Sequence, residues 1–513
     1  MKNIIKVLSQ TTLQLKSSWL ILSLTEIFIL VLTLLISHIY SPFHSYKKYI
    51  IVVGILLMIM TLYVYLTKWL RDCSLEIVYI GMAVIMGLVF MLLIPVYCVP
   101  DEQVHYWKAY QLSNQILGVE SDVNNIVMRV DDANLPITTE YKSAKSLNKY
   151  YRSINDPVND VSLTSSGYTS WAIPDFLYLL PAIGISLARL LKLNTILLFF
   201  CGRFFNAMLF IGSTALSIRK IPIGKLVIFF IGLLPMTLQQ TASYSYDAPI
   251  TACGFLIVSY SLYILYDKQM YIGDWLILAV ALSIIITAKS HAYFLLALIP
   301  LLGMIKLYKT NKRVSKIILV VIAVGFLFNL LVFLWDNVLF YYDRVTGWYP
   351  DGVEFYTIQY LLTHPSSILI VAEGTFRYKF DFYLTSLIGE ELGYFNIKVP
   401  AIMTWLGAGI LACASLRRKK DPIILNKNQR IVMFLISILS IMCVFGGMLL
   451  NWTPVGSVAI EGVQGRYFLP ILPILLIAAQ TVELEIDRKW DKHIICSESL
   501  WLVLFVFCII NRY

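Results

Sequence analysis

The sequence predicts an all-α, polytopic membrane protein, and three observations lead to that fold class. Hydrophobic residues make up 58% of the 513 residues and charged residues only 14%, whereas a soluble protein keeps roughly 25% of its residues charged. Apolar runs of membrane-spanning length recur along the whole chain. The basic residues, which give a net charge of +10, stand in short groups between these runs. That placement is typical of a membrane protein in a lipid bilayer and argues against a nucleic-acid partner.

The apolar runs predict about 13 transmembrane helices, since a span needs about 20 apolar residues. Residues 1–75 hold the first two helices, and residues 76–513 form one further membrane domain without an internal repeat. The cysteines lie in or beside apolar runs without metal-ligand spacing, so we expect free thiols. The predicted spans are 19–39, 49–67, 76–98, 195–217, 226–240, 248–266, 275–288, 291–305, 317–335, 401–416, 431–450, 467–482 and 500–510.

The distribution of lysine and arginine orients these spans in the cell membrane. With a cytoplasmic N-terminus, the inner loops receive most basic residues, and the short outer loops receive almost none apart from Lys47 and Lys48. This predicts an N-in topology with Asp101 outside the cytoplasm. The inner groups are Lys68, Arg71, Arg219, Lys220, Lys225, Lys306, Lys309, Lys312, Arg313, Lys316, residues 417–420, Arg488, Lys489 and Lys492.

Two longer outer segments interrupt the up-and-down pattern. Residues 99–194 form a large first extracytoplasmic loop, which ends in an apolar helix carrying Arg189 and Lys192. Counting this helix as a span would invert every later loop, so we predict a juxtamembrane helix on the outer face. Residues 336–400 mix aromatic and charged side chains, and we expect them to form interfacial helices on the same side.

The sequence PDEQVH at residues 100–105 begins the first loop directly after a span. Two carboxylates at a membrane boundary are costly to hold near lipid unless they are used. We therefore predict Asp101 and Glu102 as catalytic residues, with Asp101 as general base. His105 lies four residues further on the same helical face and is a candidate for substrate binding. The alternatives are helix-dipole partners for the acids and a structural histidine at the interface.

Three basic residues fall on the same predicted side as this acidic pair. Lys289 lies at a hairpin tip, Arg466 opens the penultimate span, and Arg203 lies in the outer half of a span. Each alone could extend to lipid headgroups, but together they predict a phosphate or pyrophosphate site. Asp247, in a polar turn between two spans, is a further substrate-binding candidate. We predict no metal ligands, because nucleotide-binding and paired Cys or His motifs are missing from the sequence.

In their order along the chain, these features resemble the GT-C superfamily of membrane glycosyltransferases. The shared features are an acidic residue in a large first loop, a proline-containing juxtamembrane segment at 173–181, an arginine-containing span and a lysine at a later hairpin tip. More narrowly, four segments are similar to a bacterial family of predicted multi-pass membrane proteins of unassigned function that is grouped with GT-C folds. They are PDExxH at 100–105, Ser245-Tyr246-Asp247, Ile388-Gly389-Glu390 with Gly393, and GVQGRYFLP at 462–470.

The resemblance runs from residue 76 to the C-terminus and implies a GT-C-like fold. It also implies that a sugar passes from a polyprenyl-phosphate donor to an acceptor outside the cytoplasm. Asp101 would then match the catalytic carboxylate of the first loop, with Lys289 and Arg466 as phosphate partners. The first loop carries Asp131-Asp132 in place of a DxD motif, which leaves a divalent cation open.

We therefore expect a membrane glycosyltransferase in which Asp101 deprotonates a glycan hydroxyl. Its partners are the polyprenyl-linked sugar donor and a cell-surface polysaccharide or teichoic-acid-type acceptor. The alternatives are a lipid-linked oligosaccharide flippase or other transporter, and a polysaccharide polymerase. A transporter would have charged residues deep in its spans and two related halves, whereas only Glu26 and Arg203 lie so deep here.

Overall fold

The structure is a computed structural model whose helices follow the apolar runs of the sequence. It describes residues 2–137, 141, 143–170, 173–266, 269–289, 292–303, 327, 331, 352–419, 421 and 425–512, with side chains from residue 19 onward. The predicted span 317–335 therefore lies outside the described residues except for positions 327 and 331.

The first three helices form an antiparallel group. They are α1 (Lys2–Ile39), α2 (His44–Val64), which continues into a π-helical turn at Tyr65–Leu70, and α3 (Leu75–Leu93). Helix α2 packs against both neighbours. Within the apolar layer, the hydroxyl of Thr61 donates a hydrogen bond of 2.6 Å to Glu26 Oε1. This bond satisfies part of the hydrogen-bonding capacity of a carboxyl group that faces little water.

The first loop folds into short helices and one small sheet. Strands β1 and β2 pair antiparallel, with Met128 opposite Thr164. A 3₁₀ turn at Asp175–Tyr178 leads into the last helix of the loop. The elements are α4 (Glu102–Ile116), β1 (Val127–Arg129), α5 (Val130–Ala133), α6 (Ala144–Ser153), β2 (Leu163–Ser165) and α7 (Leu179–Leu190).

Helix α7 has the two-faced character that a surface helix needs. Leu179, Ile183, Leu187 and Leu190 are exposed and recur every three or four residues, which places them on one face. The opposite face packs on α4 and the following long helix. An exposed apolar stripe of this kind suits a helix that lies along a membrane surface, as the juxtamembrane prediction requires.

The middle of the chain contains both long and broken helices. The predicted span 226–240 consists of two short helices, because Pro235 has no N–H to continue the first and instead begins the second. Nearly all residues of both short helices are buried. The elements are α8 (Thr195–Lys220), α9 (Lys225–Ile231), α10 (Pro235–Thr241), α11 (Asp247–Leu265), α12 (Ile272–Thr287) and a 3₁₀ turn at Phe294–Leu298.

The last third of the described chain alternates long helices with small strand pairs. Strands β3 and β4 pair antiparallel, and β5 and β6 pair in parallel. The predicted span 467–482 is again irregular, with a 3₁₀ turn at Gly465–Phe468 before a short helix. The elements are α13 (Ile358–Thr363), α14 (Ser366–Ile388), β3 (Glu391–Leu392), β4 (Ile397–Lys398), α15 (Ala401–Ser415), β5 (Arg417–Arg418), α16 (Lys427–Trp452), α17 (Leu472–Ala478), β6 (Glu485–Ile486) and α18 (Asp491–Ile510).

Seven of the described helices are long and apolar enough to cross a membrane, and three shorter helices are also apolar. This agrees with a multi-pass, all-α membrane protein, while the larger number of about 13 spans and the GT-C-like fold remain predictions. The seven are Trp19–Ile39, His44–Leu70, Leu75–Leu93, Thr195–Lys220, Asp247–Leu265, Lys427–Trp452 and Arg488–Ile510.

The helix directions define two ends of the bundle. One end contains the first loop, the C-terminus of α3 and the N-termini of α8 and α11. We call it the loop end. At the other end, Lys220 pairs with Asp274 at 2.7 Å, and Arg418 pairs with Asp491 at 2.6 Å. Because basic residues collect at this second end, the positive-inside rule still predicts that the loop end faces away from the cytoplasm.

Candidate functional site

Asp101 lies at the tight turn between α3 and α4. Its φ angle is +63°, a left-handed conformation that aspartate tolerates better than most residues. The backbone N–H of Asp101 donates a 2.9 Å hydrogen bond to the hydroxyl of Tyr394, which in turn lies 3.1 Å from Gln103 Oε1. The side chain of Asp101 makes no helix-capping hydrogen bond. The turn therefore leaves the carboxylate available for other contacts.

Four charged side chains converge beside this turn, and we call them the charge cluster: Asp101, Asp247, Lys289 and Arg466. Lys289 Nζ lies 2.5 Å from Asp247 Oδ1. Arg466 Nε lies 3.1 Å from Asp247 Oδ2, and Arg466 Nη2 lies 3.6 Å from Asp101 Oδ2. Residues separated by as many as 365 positions in the chain thus form one continuous chain of ion pairs at the loop end.

The two carboxylates of the charge cluster have different surroundings. The side chain of Asp247 is only 5% exposed and has one cation on each oxygen. The side chain of Asp101 is 44% exposed, and among the described residues its one ion pair is with Arg466, at the longer distance. Asp247 is thus flanked by two cations, whereas Asp101 retains oxygen lone pairs that an incoming hydroxyl group can use.

Aromatic rings hold the cations of the charge cluster in place. Lys289 Nζ lies 3.5 Å from the ring centre of Tyr467 and 5.3 Å from that of Tyr246. The ring faces attract the ammonium group. Lys289 itself has a φ of +47°, so it adopts the same uncommon backbone region as Asp101. Two non-glycine residues in this region within one cluster point to a functional site, because such strain persists where function maintains it.

Glu102 and Arg203 form a separate ion pair directly behind the charge cluster. Arg203 Nε donates to Glu102 Oε1 at 2.8 Å, and Nη2 donates to Oε2 at 2.6 Å. The carbonyl groups of Ile94 and Pro95 accept further hydrogen bonds from Arg203 at 2.7 and 3.0 Å. Both side chains are fully buried. The pair therefore joins the end of α3, the start of α4 and the middle of α8, and it has no access to solvent.

A glycine precedes both Arg203 and Arg466 and allows each arginine to pack closely. A Cβ atom on Gly202 would collide with the hydroxyl of Tyr244, and a Cβ atom on Gly465 would collide with the backbone nitrogen of Leu387 in α14. The Gly465 N–H also donates to Ser386 Oγ at 3.2 Å. These contacts explain why Gly-Arg occurs at both positions.

His105 lies next to the charge cluster but is buried. Its Nδ1 lies 2.7 Å from the hydroxyl of Tyr178, and its ring meets that of Tyr246 edge to face at 4.9 Å. Burial lowers the pKa of His105 to about 3, an effect that Arg466 and Lys289 add to and Asp247 opposes. The imidazole is therefore neutral at physiological pH and is held by aromatic contacts.

Several residues around the charge cluster were not anticipated from the sequence. Tyr394 fixes the Asp101 turn, and Tyr178 fixes His105. The neighbouring Gly393 has a φ of +61°, and its N–H donates to Gln239 Oε1 at 2.7 Å. The motif Ile388-Gly389-Glu390 with Gly393 pointed to this hairpin, but nothing in the sequence indicated that Tyr394 would contact Asp101.

Among the described residues, no group of three or more His, Cys, Asp or Glu side chains is arranged to hold a metal ion. Asp132 has both oxygens engaged: Oδ2 accepts from Arg129 at 2.7 Å and from Tyr110 at 2.8 Å, and Oδ1 accepts from Thr195 at 2.8 Å. The Asp131-Asp132 sequence thus contributes one residue to a buried network that ties the first loop to α8.

An apolar groove lies between α8, α11 and α12. Its volume is about 300 Å³. Pro249 of its lining lies two residues after Asp247, and Ile284 lies five residues before Lys289, which places one rim of the groove toward the charge cluster. The lining residues include Leu209, Pro249, Leu256, Leu276, Val280 and Ile284. A flexible hydrocarbon chain could lie here with a polar head beside Lys289.

A family model described as predicted membrane protein (DUF2142) matches residues 84–475. The match includes every member of the charge cluster and the Glu102–Arg203 pair, and it excludes α1, α2 and α18. No curated protein and no solved structure matches the chain.

Proposed function

The chain belongs to this family of predicted membrane proteins, and from the site at its loop end we propose that it is a membrane glycosyltransferase. It transfers a sugar from a polyprenyl-phosphate donor to a glycan acceptor on the extracytoplasmic side. The observation that carries this proposal is the convergence of one accessible carboxylate, Asp101, with Arg466 and Lys289, near one rim of an apolar groove. Base, phosphate partners and a lipid groove are the three parts that such a reaction needs.

In the proposed reaction, Asp101 accepts the proton of an acceptor hydroxyl. The oxygen attacks the anomeric carbon of the donor, and the bond between that carbon and the phosphate oxygen breaks. Polyprenyl phosphate leaves with one additional negative charge, and the proton remains on Asp101. Attack opposite the leaving group inverts the anomeric centre.

Lys289 and Arg466 stabilise the charge that develops on the phosphate. Arg466 is almost fully buried, the Lys289 side chain is 13% exposed, and both are oriented by Asp247 before the substrate arrives, so little reorganisation is needed during the reaction. Donors of this kind are worth about 10²–10³ in rate when one is removed. The four members of the charge cluster carry two positive and two negative charges, so the departing phosphate meets both cations without a large excess of positive charge in the resting site.

Glu102 and Arg203 have a positioning role in this proposal. Their charged atoms bond to each other, to the carbonyl groups of Ile94 and Pro95, and, at Glu102 Oε1, to the backbone N–H of Tyr244 at 3.2 Å. Glu102, expected from the sequence to be catalytic, thus fixes the turn from which its neighbour Asp101 projects. Arg203 holds that turn against α8. His105 packs behind the cluster as a neutral side chain, and we assign it to shaping the site.

The proposal is tested with Asp101→Asn. Asparagine has nearly the same shape and also tolerates a left-handed backbone, so the fold should remain intact while the base is lost. In membrane vesicles loaded with a polyprenyl-phosphate sugar, we expect transfer to fall by roughly 10²–10⁴-fold. Glu120→Gln, at an exposed carboxylate of the same loop, is the matched control and should transfer normally. If Asp101→Asn transferred sugar at the wild-type rate, Asp101 would not be the general base.

A lipid-linked oligosaccharide flippase is the second candidate, and one observation favours it. Helices α9 and α10 form a discontinuous, buried helix, a feature that lines substrate sites in transporters. The same vesicle assay distinguishes a flippase from a glycosyltransferase. A flippase moves the lipid-linked sugar across the bilayer without forming a new glycosidic bond, and Asp101→Asn would not abolish a chemical step.

A polysaccharide polymerase would use the same groups with a lipid-linked oligosaccharide as the donor. Product size distinguishes the two enzymes. A transferase adds single sugars and stops, whereas a polymerase extends the product in steps of a whole repeat unit.

A further inference from the structure

A second cavity lies in the first loop, away from the charge cluster. This cavity, which we call the loop pocket, has a volume of about 490 Å³ and lies between α5, α6 and the start of α8. That volume is within the range of small-molecule sites. Its lining includes Asp131, Asn134, Lys149, Tyr150, Asp156 and Asn159.

The polar side chains of the loop pocket have unused hydrogen-bonding capacity. The side chains of Asn134, Lys149, Asp156 and Asn159 are exposed and form no side-chain hydrogen bond or ion pair within the described part of the chain. The hydroxyl of Tyr150 is buried behind them, where the backbone of Val96 hydrogen-bonds to it. The exposed polar groups are therefore the ones that a ligand in the pocket can reach.

Aromatic side chains form the inner wall of the loop pocket. The rings of Tyr141 and Tyr150 lie 5.3 Å apart, and the latter is almost fully buried. Asp131 Oδ2 accepts the N–H of Asn159 at 2.8 Å, which orients one carboxylate at the rim. Aromatic faces beside carboxylate and amide groups suit a pyranose, because a sugar ring has apolar C–H faces and a rim of hydroxyl groups.

The charges of the loop pocket discriminate between classes of glycan. Asp131 and Asp156 outnumber Lys149 among the charged lining residues, so the pocket carries a net negative charge. A phosphate-containing polymer would be repelled, whereas a neutral or amino sugar would not. The charge of the pocket therefore favours a polysaccharide acceptor over a teichoic-acid-type acceptor, which carries phosphate.

The loop pocket is close enough to the charge cluster to hold a distant part of the same acceptor. Val96 lines the pocket and is only five residues before Asp101, so their Cα atoms are at most about 18 Å apart. Ile196 also lines it, about two turns of α8 before Arg203. A glycan of a few sugars is therefore long enough to span the distance from the pocket to Asp101.

We propose that the loop pocket is a binding subsite for a neutral or amino-sugar portion of the acceptor glycan. The proposal rests on the proposed function, since it assigns the pocket to the acceptor of the same reaction. Binding at this distance contributes to acceptor affinity and alignment without taking part in the chemical step.

The test measures binding of soluble probes to the full-length protein in detergent by saturation-transfer NMR titration. The probes are cellobiose, chitobiose and glycerol 3-phosphate. We expect at least one of the two disaccharides to bind at least tenfold more tightly than glycerol 3-phosphate. The double substitution Asp131→Asn with Asp156→Asn and the single substitution Asn134→Ala should each weaken the disaccharide at least threefold. Lys145→Ala, one helical turn before Lys149 and outside the pocket lining, should bind as wild type.

Tighter binding of glycerol 3-phosphate than of either disaccharide would overturn the proposal. Unchanged disaccharide binding in all pocket variants would also overturn it, because the sugar would then bind elsewhere. The Asp101→Asn variant separates this test from that of the enzyme, since it should bind the disaccharide normally. If the wild-type protein bound the disaccharide but transferred no sugar, only the enzyme proposal would be wrong. If it transferred sugar but did not bind the disaccharide, only the assignment of the loop pocket as an acceptor subsite would be wrong.

Discussion

Two ion-pair centres lie side by side at the loop end, and they differ in what water can reach. Glu102 and Arg203 form a closed pair with no exposed side-chain surface. The charge cluster also contains deeply buried members, but one of its carboxylates, Asp101, is 44% exposed. Adjacent residues in the sequence thus belong to centres of opposite character, because the turn at Asp101 directs one side chain outward and the next inward.

Burial of charge therefore has two different roles in this protein. A closed, fully bonded pair fixes backbone elements, and its desolvation is repaid only while both partners are present. An open cluster keeps one acceptor free and holds cations nearby. Substitutions in the closed pair should therefore act on stability, and substitutions in the open cluster should act on transfer.

The largest effect is expected from breaking the closed pair. Arg203→Met leaves Glu102 as an uncompensated buried charge, and we expect the free energy of unfolding to fall by about 3–5 kcal/mol. Denaturant or thermal unfolding in detergent measures this change.

The double substitution Glu102→Leu with Arg203→Met is the control for that measurement. It removes both charges, and we expect it to recover most of the lost stability. Equal destabilisation in the single and double variants would mean that the pair contributes through packing and not through charge.

In the open cluster, Arg466→Gln and Lys289→Gln should each lower transfer by about 10²–10³-fold, the effect of removing one donor from a site of developing charge. The loss should appear in kcat, because the cations are needed most as the phosphate departs. Arg417→Gln at the opposite end of the bundle provides a comparison outside the site. If these substitutions changed stability but not transfer, Arg466 and Lys289 would have a structural role like that of Glu102 and Arg203.

The pH dependence of His105 provides a smaller contrast between the centres. Its pKa in the folded protein is about 3, below the ordinary value of 6.5. The unfolded chain therefore binds a proton more readily, and the contribution of neutral His105 to stability is complete above pH 6.5 and is lost as the pH falls toward 3. We expect wild type to lose more stability than His105→Gln between pH 6.5 and 4 in unfolding titrations. Parallel curves for the two proteins would contradict the lowered pKa.

The membrane class and many span positions were predictable because they depend on local composition. The broken helix at α9 and α10 was harder to predict, since its residues are apolar throughout and only Pro235 marks the interruption. The predicted spans at the ends of the chain, by contrast, match long helices. Local hydropathy therefore identifies the buried segments but does not reveal where the backbone is interrupted.

The candidate site was only partly readable from the sequence. Polar residues near the ends of apolar runs stand out, which is why Asp101, Asp247, Lys289 and Arg466 were identified. Their pairing depends on tertiary contacts, so the sequence did not separate Glu102 from Asp101. Tyr394 was missed for the same reason, because its contact with Asp101 joins segments 293 residues apart.

The smallest expected effect comes from Tyr394, whose hydroxyl accepts the N–H of Asp101 at 2.9 Å. Tyr394→Phe removes this acceptor while keeping the ring, and we expect the free energy of unfolding to fall by about 0.5–1.5 kcal/mol, the net contribution of one such hydrogen bond. Because the bond supports the turn of the open centre, we also expect transfer to decrease several-fold. Tyr383→Phe is the matched control, since the Tyr383 hydroxyl has no hydrogen-bond partner among the described residues. If Tyr394→Phe instead lowered stability as much as Arg203→Met does, the Asp101 turn would depend on the closed pair and the two centres could not be treated as separate.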